Sequence, residues 1–135
     1  MALIVPDVGE SYSLQALVAK NAATVPILKL YKSNTTPAET DTDADYTAAD
    51  FTGYSDVSMS VGANWTVSGG APSQIAYPQQ TFTSSANQAT QNIYGYYVLA
   101  TTSSTLLWAE RFSDGPYPIT NNGDNIKVTP QITAS

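Results

Sequence analysis

The chain has 135 residues, of which 12% are charged, and its formal net charge is −6 with only five Lys and Arg residues. Nucleic-acid binding depends on clustered basic side chains, so this balance excludes a phosphate-binding surface. Cys and His are both absent, which excludes disulfides, thiolate chemistry and any catalysis or metal binding by imidazole. Because so few residues are charged, the polar surface must consist of Thr, Ser, Asn and Gln. A low content of charged residues is also typical of interface cores.

Residues 1–22 are predicted to form an apolar N-terminal arm followed by one short helix. The arm, residues 2–6, has no basic region and is too short for a secretory signal, and no apolar run is long enough for a transmembrane helix. Asp7 and Glu10 have the spacing of a capping box with Asp7 as N-cap. The helix is predicted to end at Asn21 and to pack against its own sheet, and the alternative is a helix that contacts another subunit of an assembly. Its apolar stripe consists of Leu14, Leu17 and Val18.

A strand and a polar loop follow. Residues 25–32 alternate and predict a strand, with Pro26 at its start because proline lacks an amide donor. Residues 33–45, rich in Thr, Asp and Pro, predict an exposed loop. Thr47 and Asp50 have capping-box spacing and predict a single helical turn that ends near Gly53.

The second half of the chain alternates between short apolar strands and turns rich in Gly, Pro and Asn. Strands are predicted at residues 57–61, 64–67, 75–77 and 80–83, and a last strand contains Ile126, Val128 and Ile132. Pro130 interrupts the last strand and therefore places it at a sheet edge.

Residues 91–112 are predicted to form the central hairpin. In its first strand both alternating sets of side chains are apolar or aromatic, which is typical of a strand covered on both faces. One set is Ile93, Gly95, Tyr97 and Leu99, and the other is Tyr94, Tyr96, Val98 and Ala100. In the second strand, Leu106, Trp108 and Phe112 are predicted to face away from Leu107, Ala109 and Arg111. Trp108 is predicted to be a core residue.

These elements predict the fold class. Roughly seven to nine short strands, separated by about 8–12 residues, are typical of sandwiches and jelly rolls. We therefore predict an all-β fold, an antiparallel β-sandwich that is jelly-roll-like and carries one short N-terminal helix. No repeat or linker divides the chain, so residues 1–135 are predicted to form one domain.

One acidic segment has part of the pattern of a calcium-binding loop. Asp41, Asp43 and Asp45 have the spacing that opens an EF-hand. Tyr46 stands where the sharp turn needs Gly, and Thr52 stands where a bidentate Glu closes the site. The incomplete ligand set favours a solvated acidic loop, so no metal site is predicted.

Catalytic candidates are few. Glu110 and Asp114 could form a glycosidase carboxylate pair, but nothing in their spacing selects them, and a structural role is favoured. The sequence therefore predicts a protein that is not an enzyme, with no catalytic and no cofactor-binding residues. Trp65 lies in a glycosylation sequon and is interpreted as a core anchor. Three roles remain open for a further set of tyrosines, namely stacking on a sugar, contact in an interface, and burial in the core. The set is Tyr77, Tyr94, Tyr96, Tyr97 and Tyr117.

Several segments carry a resemblance to a known group of proteins. They are MALIVPDVGE, LYKSNTTPAETDTDADYTAADFTGY, AYPQQTFT, IYGYYVL, LLWAERFSDGPYPI and NNGDNIKVTPQIT, which together cover most of the chain. The chain resembles small virion proteins encoded by tailed bacteriophages, in particular capsid cement or decoration proteins.

The resemblance implies a structural role. It implies a homo-oligomer, in some cases a trimer, that binds the major capsid protein on the capsid surface after synthesis in the host cytoplasm. The apolar arm could then lie on a neighbouring subunit. No nucleic acid, membrane or cofactor is expected as a partner. The alternative is a tail or tail-fibre component that binds a host-surface glycan or another tail protein.

Overall fold

The computed structural model describes residues 3–17, 25–60, 62–70, 73–101 and 103–134. Within these ranges the chain is mostly β-strand, with one short helix and several antiparallel sheets. The helix α1 spans Asp7–Leu17. The strands are β1 (Pro26–Tyr31), β2 (Val57–Ser58), β3 (Thr66–Ser68), β4 (Ser73–Ala76), β5 (Gln80–Thr83), β6 (Gln91–Ile93), β7 (Gly95–Ala100), β8 (Leu106–Arg111), β9 (Tyr117–Ile119), β10 (Asn125–Val128) and β11 (Gln131–Ala134). The prediction of an all-β chain with one N-terminal helix is confirmed.

The strands form four antiparallel sheets. The largest has the order β2-β1-β7-β8, and a three-stranded sheet has the order β11-β4-β3. Two further sheets are pairs, β10 with β5 and β6 with β9. In the part of the chain that the structure describes, successive strands share a sheet only as β1 with β2, β3 with β4, and β7 with β8. The other pairings join segments that are far apart in the chain, which brings distant segments into one core.

Strand β7 is covered on both faces, as predicted, and all six of its residues are buried. On one face, Val98 and Trp108 join the main core, to which β1, β5, β6, β9 and β10 also contribute apolar side chains. On the other face, Tyr97 and Leu99 belong to a second cluster with Tyr31. Trp108 is 3% exposed, so its prediction as a core residue is confirmed.

A β-bulge in the central hairpin corrects one predicted face. Val98 pairs with Trp108, but its neighbour Leu99 pairs with Leu106, so the register skips Leu107. An extra residue reverses the alternation of a strand. Leu106 therefore lies in the second cluster while Trp108 lies in the main core, and the prediction that they share a face is wrong.

The first strand of the predicted hairpin is two strands. It breaks at Tyr94, where β6 leaves to pair with β9 while β7 pairs with β1 and β8. Ile93 therefore joins the main core, although Tyr97 and Leu99 face the second cluster. The partner β9 is a strand that was not predicted from the sequence. It contains Pro118, which a strand tolerates at a sheet edge.

The last predicted strand is also divided. Strand β10 pairs with β5, whereas β11 pairs with β4 in another sheet, and the buried Pro130 lies between them. Both strands lie at sheet edges, as predicted. Proline cannot donate a ladder hydrogen bond, so it marks the point where the chain changes sheets.

The N-terminal arm packs on its own chain. Ile4 forms an antiparallel bridge with Ala109, with backbone hydrogen bonds of 3.1 and 3.0 Å. The helix begins at Asp7, and the Glu10 amide donates to the Pro6 carbonyl, so Asp7 lies in the first turn and is not the N-cap. Gly9 packs against the β8 backbone at the bulge. Val18, Asn21 and the side chains of Leu14 and Leu17 lie outside what the structure describes.

The second predicted capping box does not start a helix. Ala48 forms an isolated bridge with Tyr31, and the Lys32 amide donates to the Thr47 carbonyl. The backbone groups that a helical turn would need are therefore already hydrogen-bonded to the end of β1 and to Lys32. A 3-10 turn forms earlier instead, at Asp43–Asp45.

Candidate functional site

The two carboxylates weighed as a catalytic pair are each bound by a tyrosine. Glu110 Oε2 accepts a hydrogen bond of 3.0 Å from the Tyr96 hydroxyl, across the β7–β8 pair. Asp114 Oδ1 accepts a hydrogen bond from Tyr117. These contacts give both carboxylates structural partners.

The acidic segment folds onto itself. Asp41 Oδ2 accepts hydrogen bonds from the Ala38 amide at 2.9 Å and the Tyr46 hydroxyl at 2.7 Å. Asp45 Oδ2 accepts one from the Thr42 amide at 2.8 Å. In the described ranges, no group of three or more acidic side chains is placed so that it could hold a metal ion. The carboxylates instead fix the loop that covers Tyr31 and Tyr97.

The five tyrosines with open interpretations separate into two groups. Tyr96 and Tyr97 are buried, and burial raises the pKa of both phenols. Tyr77, Tyr94 and Tyr117 are only partly buried. Tyr94 lies under the Arg111 guanidinium, 5.0 Å from its ring centre, and Tyr117 packs on Phe112. Tyr77 packs on Trp65 with ring centres 5.1 Å apart, and this pair borders an open apolar groove.

The apolar groove lies between the three-stranded sheet and the largest sheet. A row of side chains crosses the three-stranded sheet in register, because Val67 pairs with Ile75 and Ile75 pairs with Ile132. This row forms one wall, and the groove has a volume of about 350 Å³. Its lining consists of Pro26, Gly62, Trp65, Val67, Ile75, Trp108 and Ile132.

Trp65 is held in place at this groove. Its Nε1 donates a 2.8 Å hydrogen bond to the Ser60 carbonyl, and its ring meets that of Trp108 edge-on at 6.4 Å. The Ser60 amide also donates to the Tyr77 hydroxyl at 3.3 Å. Trp65 packs against the main core, in agreement with its interpretation as a core anchor, but it is only partly buried. It is a partly exposed, fixed aromatic surface.

The three-stranded sheet is free of charge. Residues 57–109 contain no Asp, Glu, Lys or Arg, and neither does β11. Strands β3, β4 and β11 therefore present only polar, uncharged and apolar side chains. We call this sheet, together with the apolar groove, the uncharged face. The uncharged run of sequence was the signal that could have located it.

The uncharged face also exposes the apolar side chain of Val67. Val67 is 70% exposed, the largest value among the exposed apolar side chains in the described ranges. Interface cores are depleted of charge, and burying an unpaired charge is costly, so such a face can be covered by another protein at little electrostatic cost.

A second, polar pocket of about 420 Å³ lies near the edge of β6. Lys32 and Gln91 on its wall both bind Asp50, with Lys32 Nζ 2.7 Å from Asp50 Oδ2 and Gln91 Nε2 2.6 Å from Oδ1. The hydrogen bond from Lys32 and that from Gln91 lower the pKa of the Asp50 carboxyl. Asn92 and Tyr94 complete the pocket.

The fold and these surfaces define a β-rich protein with antiparallel sheets and an uncharged contact face. A scan against protein-family models and a search of the curated proteins give no match to the chain. The helix in the described part of the chain is not long and apolar enough to span a membrane.

Proposed function

We propose that the chain is a non-enzymatic structural component of a tailed-phage virion, a capsid cement or decoration protein that binds the major capsid protein. In this role it is made in the host cytoplasm and docks on the capsid surface. The observation that carries the proposal is the uncharged face, with the 70% exposed Val67 beside a groove lined by Trp65 and Trp108. The resemblance to phage virion proteins supports it.

Within this proposal the four sheets form a jelly-roll-like sandwich. Side chains from three of the sheets meet in the main core, and Ile132 of the fourth packs against it. A rigid body of this kind suits a protein that acts by shape. The net charge of −6 would keep the free protein soluble until it binds.

The physical benefit of a cement protein comes from multiple contacts. A folded body that binds several capsid subunits makes each later contact effectively intramolecular. Contact surfaces with few charges avoid the desolvation cost that ion pairs carry. An oligomer, such as the trimer that the resemblance implies, would multiply these contacts further.

The test uses purified particles. Quantitative mass spectrometry of virions should find the chain at a copy number comparable with that of the major capsid protein. The purified protein should rebind to particles that lack it and raise the temperature at which their shells open. Particles that lack the chain entirely, or shells that neither bind it nor gain stability, would contradict the proposal.

The polar pocket supports an alternative, a tail or tail-fibre component that binds a host-surface glycan or another tail protein. The Tyr94 ring lies beside amide and ammonium groups of Asn92, Gln91 and Lys32, which are the side-chain types that stack on and hydrogen-bond to sugars. A copy number of only a handful per virion would favour this alternative. Glycan binding that is lost in Asn92→Ala, with the fold retained, would place the site in this pocket.

A further inference from the structure

Strand β3 forms an unpaired and uncharged edge of the three-stranded sheet. One side of Thr66–Ser68 pairs with β4, and no other strand of the described ranges pairs with its outer side. All three residues are exposed. Edge strands of monomeric proteins are usually protected by charged side chains, proline, a bulge or a very short length. Strand β3 has three residues, so it is short, but it has neither a charge nor a proline. Its outer amides and carbonyls are therefore available to another strand.

We propose that this edge pairs with the same edge of a second copy of the chain. The two β3 strands run antiparallel, with Val67 opposite Val67, about a two-fold axis perpendicular to the sheet. Directly opposed residues of an antiparallel pair place their side chains on the same face. The row Ile132, Ile75, Val67 of one copy therefore continues into the row Val67, Ile75, Ile132 of the other.

The charge distribution favours a second copy at this edge. Two molecules that each carry a net charge of −6 repel one another wherever their carboxylates approach. Strands β3, β4 and β11 contain none of the acidic residues, so pairing through β3 places uncharged sheets in contact. The combined sheet has six strands, and its two apolar grooves lie on the same side.

Two-fold pairing also closes the assembly. Each copy uses the same edge, so a dimer leaves no free β3 and does not grow into a filament. A three-fold ring would instead need β3 of one copy to pair with β11 of the next, in a head-to-tail contact. The proposal goes beyond the capsid role, because the dimer forms without any capsid protein.

The test is sedimentation velocity of the full chain from about 1 μM to about 1 mM, the range in which small interfaces associate. The wild type should shift from monomer to dimer. Val67→Lys places two like charges opposite each other across the axis and should weaken the dimer by about tenfold or more. Thr133→Lys is the matched control, because it adds the same charge to an exposed position on the opposite edge of the same sheet. It should dimerise like the wild type.

At about 1 μM, where the wild type is monomeric, circular dichroism and the thermal midpoint should be unchanged in both variants, since both positions are exposed. Association of Val67→Lys equal to that of the wild type would overturn the proposal. Loss of association in Thr133→Lys as well would replace the two-fold dimer with a head-to-tail ring. If the wild type stays monomeric and binds shells only while Val67 is unchanged, the dimer proposal is wrong and the β3 edge pairs with a strand of the capsid protein. If the wild type dimerises but does not bind shells, the proposed capsid role is wrong and the dimer proposal stands.

Discussion

Tyr31 and Gly95 are register partners on neighbouring strands, and the Tyr31 ring occupies the space that a side chain at position 95 would need. Tyr31 is fully buried and packs on the rings of Tyr46 and Tyr97, with centres 5.0 and 6.2 Å away. The missing side chain at Gly95 thus lets three aromatic rings share one face of the largest sheet.

This relationship predicts that Gly95→Ala is destabilising. The added methyl group would collide with the Glu110 carbonyl as well as with Tyr31, and overpacking of a core costs about 1–3 kcal/mol. Gly69→Ala is the matched control, because open space surrounds that position, and its effect should stay within about 0.5 kcal/mol. Equal denaturant midpoints for the two variants would contradict the packing described here.

The two tryptophans at the groove should differ in their contribution to stability. Trp108 is 3% exposed, so Trp108→Ala should lower the free energy of unfolding by about 3–5 kcal/mol through lost burial and a cavity. Trp65 is partly exposed and lines the open side, so Trp65→Ala should cost clearly less. Urea denaturation of both variants measures the difference. A larger loss for Trp65→Ala would show that the groove is closed in solution.

The buried tyrosines should resist alkaline titration. Burial is the main cause that raises the pKa of Tyr31, Tyr46, Tyr54, Tyr96 and Tyr97. Because the folded state favours their neutral form, this contribution to stability is complete below about pH 10 and is lost as the pH rises through the folded-state values. Tyrosinate absorbance should therefore rise in two stages, the second coinciding with unfolding.

Tyr77 provides the control for that titration. Hydrogen bonds from the Ser60 side chain and amide lower the pKa of Tyr77, so it should belong to the first stage. Tyr77→Phe should reduce the first stage and leave the second unchanged. A single stage that includes all tyrosines and precedes unfolding would contradict the burial of Tyr31, Tyr46, Tyr96 and Tyr97 and the partial burial of Tyr54.

The fold class could be predicted because the alternation of side chains along a single strand is visible in the sequence. Residues 91–112 show apolar side chains on both alternations, and β7 is indeed buried on both faces. The errors arise where one residue changes the geometry. The register skips Leu107, and Tyr94 divides β6 from β7. No alternation pattern shows such irregularities, since they depend on which strands become neighbours.

The candidate site was less predictable for the same reason. Val67, Ile75 and Ile132 come from separate short segments, and only the pairing of β3, β4 and β11 brings them into one groove. The low charge of the region is visible in the sequence, but its position on one sheet is a property of the topology. The capping-box spacing of Thr47 and Asp50 predicted a helical turn that does not form. The Thr47 carbonyl instead accepts a hydrogen bond from the Lys32 amide, next to the end of β1.

Asp124 should give the turn after β9 a pH-dependent stability. Its Oδ2 accepts hydrogen bonds from the amides of Asn121 at 2.8 Å and Thr120 at 2.9 Å, and these bonds lower the pKa of the Asp124 carboxyl. A carboxyl whose pKa is lowered on folding contributes stability above its unfolded value of about 3.9, and this contribution is lost as the pH falls through the folded value.

Asp124→Asn keeps an oxygen acceptor but removes the charge. It should therefore be less stable than the wild type at pH 7, and the difference should shrink below about pH 4 and disappear once Asp124 is protonated in the folded wild type. Urea midpoints measured at several pH values test this. Gly69→Ala changes no titratable group, so its difference from the wild type should stay constant across the series. A pH-independent gap for Asp124→Asn would show that the charge of Asp124 does not stabilise the turn.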